Sequence, residues 1–258
     1  MAASREVRLV ADLGNSRLKW GLCGPDGEIV AVAALPIDDP DAWDRQWRAW
    51  VEAERSTSWA VSSVNPPIAE SLNRFLMSQK ETHVTWFRSA ADVPLKHTLD
   101  HSERAGADRA FAAAEAGRCR PQGACGQVVS CGTAVTVEWI DADGVWKGGA
   151  ITAGMGLMAR SLNLGTAQLP AVGLDLDGPP SAIGNSTLPA LRAGVFWGVV
   201  GAVRELIERQ SIGQDRPWRV WTGGDAGPIS HLIDGPQARV VPDLVLRGIA
   251  RLGHRDKE

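Results

Sequence analysis

The sequence of 258 residues has little net charge, little cysteine and no tyrosine at all. A formal charge of −3 leaves no basic footprint, so nucleic acid is not an expected partner. The four cysteines, Cys23, Cys119, Cys125 and Cys131, form no C-x-x-C pair. Their scatter argues against a structural zinc site and fits free thiols in a reducing compartment. Long apolar runs are also missing: 193–203 is broken by glycine and followed by Arg204 and Glu205, so no membrane span is expected. The first residues, MAASREVRLV, carry no signal-peptide hydrophobic region, and a cytoplasmic protein is expected. What is present is 44% apolar and 22% charged residues, a balance that lets each half of the chain bury its own core rather than form long disordered tails.

One arrangement occurs twice. At 9–34 and again at 128–151 an apolar strand ends in a small polar turn containing glycine, Asp12-Leu13-Gly14-Asn15 in the first copy and Ser130-Cys131-Gly132-Thr133 in the second. In both, a second strand carrying Trp20 or Trp139 follows, reaches an Asp-Gly turn (Asp26-Gly27, Asp143-Gly144) and folds back into a third. Two copies point to two related domains, 1–118 and 119–258, whose glycine turns face each other across a cleft suited to a nucleotide phosphate tail.

Between these landmarks the pattern alternates as in an α/β layer. Strands are expected at 7–12, 17–22, 28–34, 59–64 and 82–87. Helices are expected at 41–54, with Trp43, Trp47 and Trp50 on a core face, at 68–79, and from Ala107 to about Gly117. CRPQGACG at 119–126 reads as a linker. The second half adds helices at 154–164, 188–210 and 244–252, a strand at 219–222, and a Gly/Pro/Asp-rich loop at 170–186. Gly194, Gly198 and Gly201 fall on one side of the long helix, where a helix or ligand could approach closely.

Several residues could carry chemistry. Asp12 ends a buried strand next to Gly14, with Asn15, Ser16 and Lys19 as donors; DLGN alone is equally an Asx-type turn. Thr133 offers a hydroxyl at the matching place in the second copy, or simply satisfies its turn. Asp108 and Arg109 stand where a loop becomes a helix, a position that also suits ordinary first-turn charges. His97, Asp100 and His101 lack a third nitrogen or sulfur ligand and read as loop residues. Gly223-Gly224-Asp225 resembles a nucleotide-contacting turn, or a plain strand-to-helix turn.

Taken in order, DLGNSRLKW at Asp12, SSVNP at Ser62, GADR at Gly106, CGTAVTVEW at Cys131, GGAITAGMGLMARSLNLGTAQLP at Gly148, IGNST at Ile183, TGGDA at Thr222 and PDLVLRGIARL at Pro242 resemble the type III pantothenate kinases. The resemblance runs nearly end to end. It implies an α/β fold of two ribonuclease-H-like (actin-like ATPase) domains, mixed sheets flanked by helices with a cleft between them. It also implies ATP-dependent phosphorylation of pantothenate, the first step toward coenzyme A, by a homodimer. By similarity, Asp12, Leu13, Gly14, Asn15, Ser16, Arg17, Leu18 and Lys19 form the first phosphate-binding segment, with Asp12 organising Mg2+ and the phosphates. Gly132 and Thr133 contact ATP from the second domain. Gly106, Ala107, Asp108 and Arg109 bind pantothenate, with Asp108 as general base and Arg109 holding the substrate. Thr187 is a further substrate contact that in this family can come from the partner subunit.

Two departures stand out. The family usually carries an aspartate two residues before the glycine of the GTA turn, as ligand to an activating K+ or NH4+; here it is Ser130, a neutral and weaker ligand. Many members also place an aromatic residue shortly before GxDR, where this chain has Leu99-Asp100. A non-catalytic relative that keeps the fold, and a kinase for another small hydroxy acid, are the competing readings.

Overall fold

A computed structural model describes residues 6–51, 56–79, 81–174 and 178–254. The chain forms two compact units, Met1–Arg118 with Asp243–Glu258, and Cys119–Pro242.

The first unit is a five-stranded mixed sheet in the order β3-β2-β1-β4-β5. It comprises β1 (Val7–Leu13), β2 (Leu18–Cys23), β3 (Ile29–Leu35), β4 (Thr57–Ser63) and β5 (Thr82–Phe87). β1 runs antiparallel to β2 and parallel to β4, and β5 continues the parallel half. Period-two alternation splits the strands into two faces. One face carries Leu9, Ala11, Leu13, Trp20, Trp59 and Val61 and packs on α1 (Pro40–Trp50) and α2 (Pro66–Met77), giving one continuous core with Trp43, Trp47, Leu72 and Leu76. Trp20 meets Trp59 edge-on at 4.9 Å between centroids. Trp43 and Trp47 are thus core, while Trp50 is only partly buried against them. The expected end of this helix at 54 lies outside the described residues. Each of these helices begins at an Asx cap followed by proline: Asp39 accepts from the Ala42 N–H, and Asn65 from that of Ile68, a combination that fixes where a helix starts.

The second unit repeats the topology with β6 (Gly126–Cys131), β7 (Ala134–Ile140), β8 (Trp146–Ala153) and β9 (Trp218–Thr222), ordered β8-β7-β6-β9. The place that β5 takes in the first sheet is held here by a single parallel bridge, Trp221 to Val240. Helices α4 (Met155–Gly165), α5 (Thr187–Gln210) and α6 (Ala226–Asp234) flank it, and Val195, Phe196, Val199 and Val203 of α5 fill its core. Of the three α5 glycines, only Gly198 is approached, by Met158 of α4 at ordinary contact distance; Gly194 and Gly201 face open space among the described residues. Among the described residues, the approach expected along this glycine face is therefore limited to Met158 at Gly198. No helix of the described residues is long and apolar enough to cross a membrane.

The last helix corrects the expected domain division. α7 (Leu244–Leu252) belongs with the first unit, not with 119–242. It buries Leu244, Leu246 and Ile249 and comes so close to α3 (Ala107–Arg118) that a Cβ on Gly248 would overlap the Phe111 carbonyl. Arg251 ion-pairs with Glu115 of α3 at 3.1 Å and with Glu28, and His254 Nε2 lies 3.2 Å from the Leu9 carbonyl. Sequence proximity placed this helix in the second domain; a matching apolar face and a buried carboxylate place it in the first.

Candidate active site

The register of the first sheet lines up Lys19, Asp12, Ser62 and Phe87 on β2, β1, β4 and β5. Side chains of laterally paired residues share a face, so these four form a row. α3 covers this face, with Phe87 against Phe111 at 5.1 Å. The N-terminus of α3 carries Asp108 in its first turn, where the helix dipole favours a carboxylate. Gly106 just before it leaves that carboxylate its place, because a Cβ there would displace Asp108 Oδ1 and crowd Val64. That carboxylate also accepts the Arg109 N–H at 2.8 Å.

The placement has an electrostatic consequence. Burial first, and then the Asp108 charge, push the Asp12 carboxyl up to about 7, with Lys19 pulling the other way. A carboxyl whose folded value lies above its ordinary one binds its proton more tightly in the folded state. Its stabilising contribution is therefore complete below about pH 4 and is lost as pH rises through about 7. The ligand-free chain should melt at a lower temperature at pH 7.5 than at pH 5, and Asp12→Asn should flatten that slope; calorimetry of both across this range is the check.

Asp12, Asp108, Arg109 and Lys19 all lie in the first unit. Of the remaining residues expected to hold ATP there, Leu13 and Leu18 are fully buried core and offer a nucleotide only backbone. Ala107 is likewise buried. The Gly14 N–H is spent on the Arg17 carbonyl at 3.1 Å, so it is not a free phosphate donor; the exposed tip is Asn15, Ser16 and Arg17. His97, Asp100 and His101, read from the sequence as loop residues, make local contacts: His97 accepts the Leu99 N–H, and His101 contacts Glu103. A cavity of about 500 Å³ opens beside Val64, Trp86 and Arg88 at the first turn of α2, but neither Asp12 nor Asp108 lines it.

In the second unit, the Gly132 N–H bonds to the Ala134 carbonyl and the Thr133 carbonyl accepts from Gly154. This turn is wedged from both sides. A Cβ on Gly154 would overlap the Gly132 carbonyl, and one on Gly223, at φ +97°, would overlap that of Cys131. The sequence pointed to neither glycine as a support; their positions after a strand and before a helix were the available signal. Gly154→Ala should lower stability by ~2 kcal/mol through overpacking and displace Thr133, read as a lower urea midpoint together with weaker nucleotide binding. Ser130 lies between Thr136 and Thr222 in the register, the positions that Lys19 and Ser62 hold beside Asp12. Thr187 is exposed at the first residue of α5.

A family model for type III pantothenate kinase matches residues 8–209. The chain belongs to the type III pantothenate kinase family. It is 36% identical over 250 residues to the type III pantothenate kinase of Alkalilimnicola ehrlichii, covering 95% of this chain and 96% of that one. It is 34% identical over 252 residues to that of Synechococcus elongatus, covering 95% and 96%. Among solved structures, the ethanolamine utilization protein EutJ of Carboxydothermus hydrogenoformans aligns with a TM-score of 0.52 at 13% identity, over 96% of this chain and 90% of that one. That likeness speaks for the fold, the actin-like ATPase architecture of two related mixed sheets. Within this family the non-catalytic reading is not favoured, since the kinase homologues match nearly end to end.

The residues fit magnesium carried with a nucleotide. Among the described residues no three His, Cys, Asp or Glu side chains gather as a self-sufficient metal cage. Magnesium, however, is commonly bound through one or two carboxylates plus substrate phosphates, and the mutual repulsion of Asp12 and Asp108 is the kind of charge a divalent cation relieves.

Proposed function

We propose that the chain transfers the γ-phosphoryl group of ATP to pantothenate, giving 4'-phosphopantothenate in the first step of coenzyme A biosynthesis. The observation that carries this reading is the pair Asp12 and Asp108, brought together from β1 and the first turn of α3 in a chain of this family. Asp108, at a helix N-terminus, takes the proton of the primary hydroxyl as its oxygen bonds to the γ-phosphorus and the bond to the β-phosphate bridging oxygen breaks. Arg109, with Gly106 and Ala107 shaping the helix entry, orients the acceptor. Asp12 would hold Mg2+, which, when bound with ATP, neutralises the phosphate oxygens. Lys19 adds positive charge on the same face, and Asn15, Ser16 and Arg17 offer donors to the phosphates. From the second unit, Gly132 and Thr133 are the proposed ATP contacts. Little covalent help is needed, because placement and charge neutralisation dominate phosphoryl transfer.

The reading extends to assembly and cation use. Ile151, Leu157, Leu164, Ile183 and Leu188 of the second unit are exposed large apolar residues, and the open glycines of α5 lie in the same unit. This supports a homodimer in which Thr187 reaches the partner's acceptor. Ser130, flanked by Thr136 and Thr222, offers K+ or NH4+ neutral oxygens only, which supports weak cation activation or none. The thiols of Cys23, Cys125 and Cys131, which form no disulfide, suit the cytoplasm.

The test is phosphoryl transfer from Mg-ATP to pantothenate with K+, NH4+ or Na+ as the sole added monovalent cation. Product in all three at similar rates is the expected result. A rate that rises steeply with K+ or NH4+ overturns the Ser130 reading alone, and no product from folded protein overturns the function. Sedimentation reads the dimer in the same sample.

A further inference from the structure

Ser62 takes no part in the roles assigned above, and its surroundings are unusual. It is 0% exposed, and its hydroxyl has no hydrogen-bond partner among the described residues. A buried hydroxyl without a partner is costly, and such groups are few in folded proteins. Its lateral neighbour across the parallel β1–β4 ladder is Asp12, on the same face about 5 Å away, one strand spacing.

The second unit supplies an internal control. Thr222 on β9 pairs with Ser130 on β6, as Ser62 pairs with Asp12. There the hydroxyl is spent locally, on the Pro242 carbonyl at 3.3 Å. The hydroxyl is thus satisfied where the paired residue on the neighbouring strand is serine and left unspent where it is the carboxylate.

We propose that Ser62 is a positioning residue whose hydroxyl donates to the Asp12 carboxylate when magnesium and nucleotide are bound, fixing which oxygen Asp12 turns toward them. This rests on the phosphoryl-transfer reading of the site. In ligand-free enzymes such hydrogen bonds are often long and tighten only in the complex. Ser62 touches no reacting atom; it acts through Asp12.

The experiment compares wild type, Ser62→Ala and Ser62→Thr in the full chain. Three readouts are taken: thermal unfolding, calorimetric affinity for Mg2+ with a non-hydrolysable ATP analogue, and kcat and KM for pantothenate. Ser62→Ala should melt no lower than wild type, since it removes an unsatisfied group. It should bind the magnesium–analogue complex at least fivefold more weakly and lose at least tenfold in kcat, with KM for pantothenate changed less than threefold. Ser62→Thr, which keeps the hydroxyl, should recover most of the affinity. Unchanged affinity in Ser62→Ala, or a loss that Ser62→Thr does not recover while melting like wild type, overturns the proposal. A wild type that binds the analogue but phosphorylates nothing sinks the functional reading instead, and the affinity comparison still decides the role of Ser62.

Discussion

Asp108→Asn should lower kcat for pantothenate phosphorylation by a factor of ~10² to 10⁴, the range for losing a general base, with the unfolding temperature nearly unchanged. The substitution keeps size and leaves an oxygen that can still accept the Arg109 N–H. What it removes is the negative charge and the proton acceptor. It also removes the charge that helps to hold the Asp12 carboxyl at about 7, so nucleotide binding should hold or improve while turnover collapses. Steady-state rates beside Mg-ATP affinity would show that split; near-normal kcat in correctly folded Asp108→Asn refutes the assignment of the base.

Arg251→Met should cost about 3 kcal/mol of stability, the low end for breaking a buried ion pair. Glu115 is only 4% exposed, and Arg251 contacts it at 3.1 Å from α7. With the guanidinium gone, the carboxylate keeps Arg118 at 3.5 Å, itself more than half exposed, which softens the loss. The Glu115→Gln, Arg251→Met double variant should recover part of it, because no uncompensated charge then remains inside. Urea denaturation of the two variants measures both quantities, and equal midpoints for wild type and Arg251→Met would reject the pairing as a source of stability.

Much of this architecture was legible because it is written locally. An apolar run ending in a glycine turn marks β1 and β6, and the Asp-Gly turns mark the returns into β3 and β8. Asp39-Pro40 and Asn65-Pro66 mark helix entries, although the reading began both helices one or two residues late by setting proline outside them. Long-range facts were not legible. That Asp12 and Asp108 share a space depends on which sheet face α3 covers, and periodicity in either segment says nothing of its partner. The same limit misplaced α7: its amphipathic face was plain, but the surface that receives it was not. The glycines of α5 illustrate the converse, since a stripe of small residues permits close approach without supplying anything to approach. In the GADR segment, the motif located Asp108, while the room that Gly106 leaves emerged only with the carboxylate oriented.

The route of the chain has a consequence for its biosynthesis. The first unit is closed by α7, yet the 125 residues 119–243 separate the end of α3 from the start of α7. At ~5–20 residues per second, translation takes roughly 6 to 25 s to bridge that interval. Throughout it, the surface of α3 that receives Gly248 and Arg251 stands uncovered on the ribosome, with the Glu115 carboxylate awaiting its α7 partner, while every strand of the second unit is made. The unit begun first is therefore finished last, and the nascent chain carries Asp12 and Asp108 on a half-built scaffold that a chaperone can recognise and that premature termination never completes.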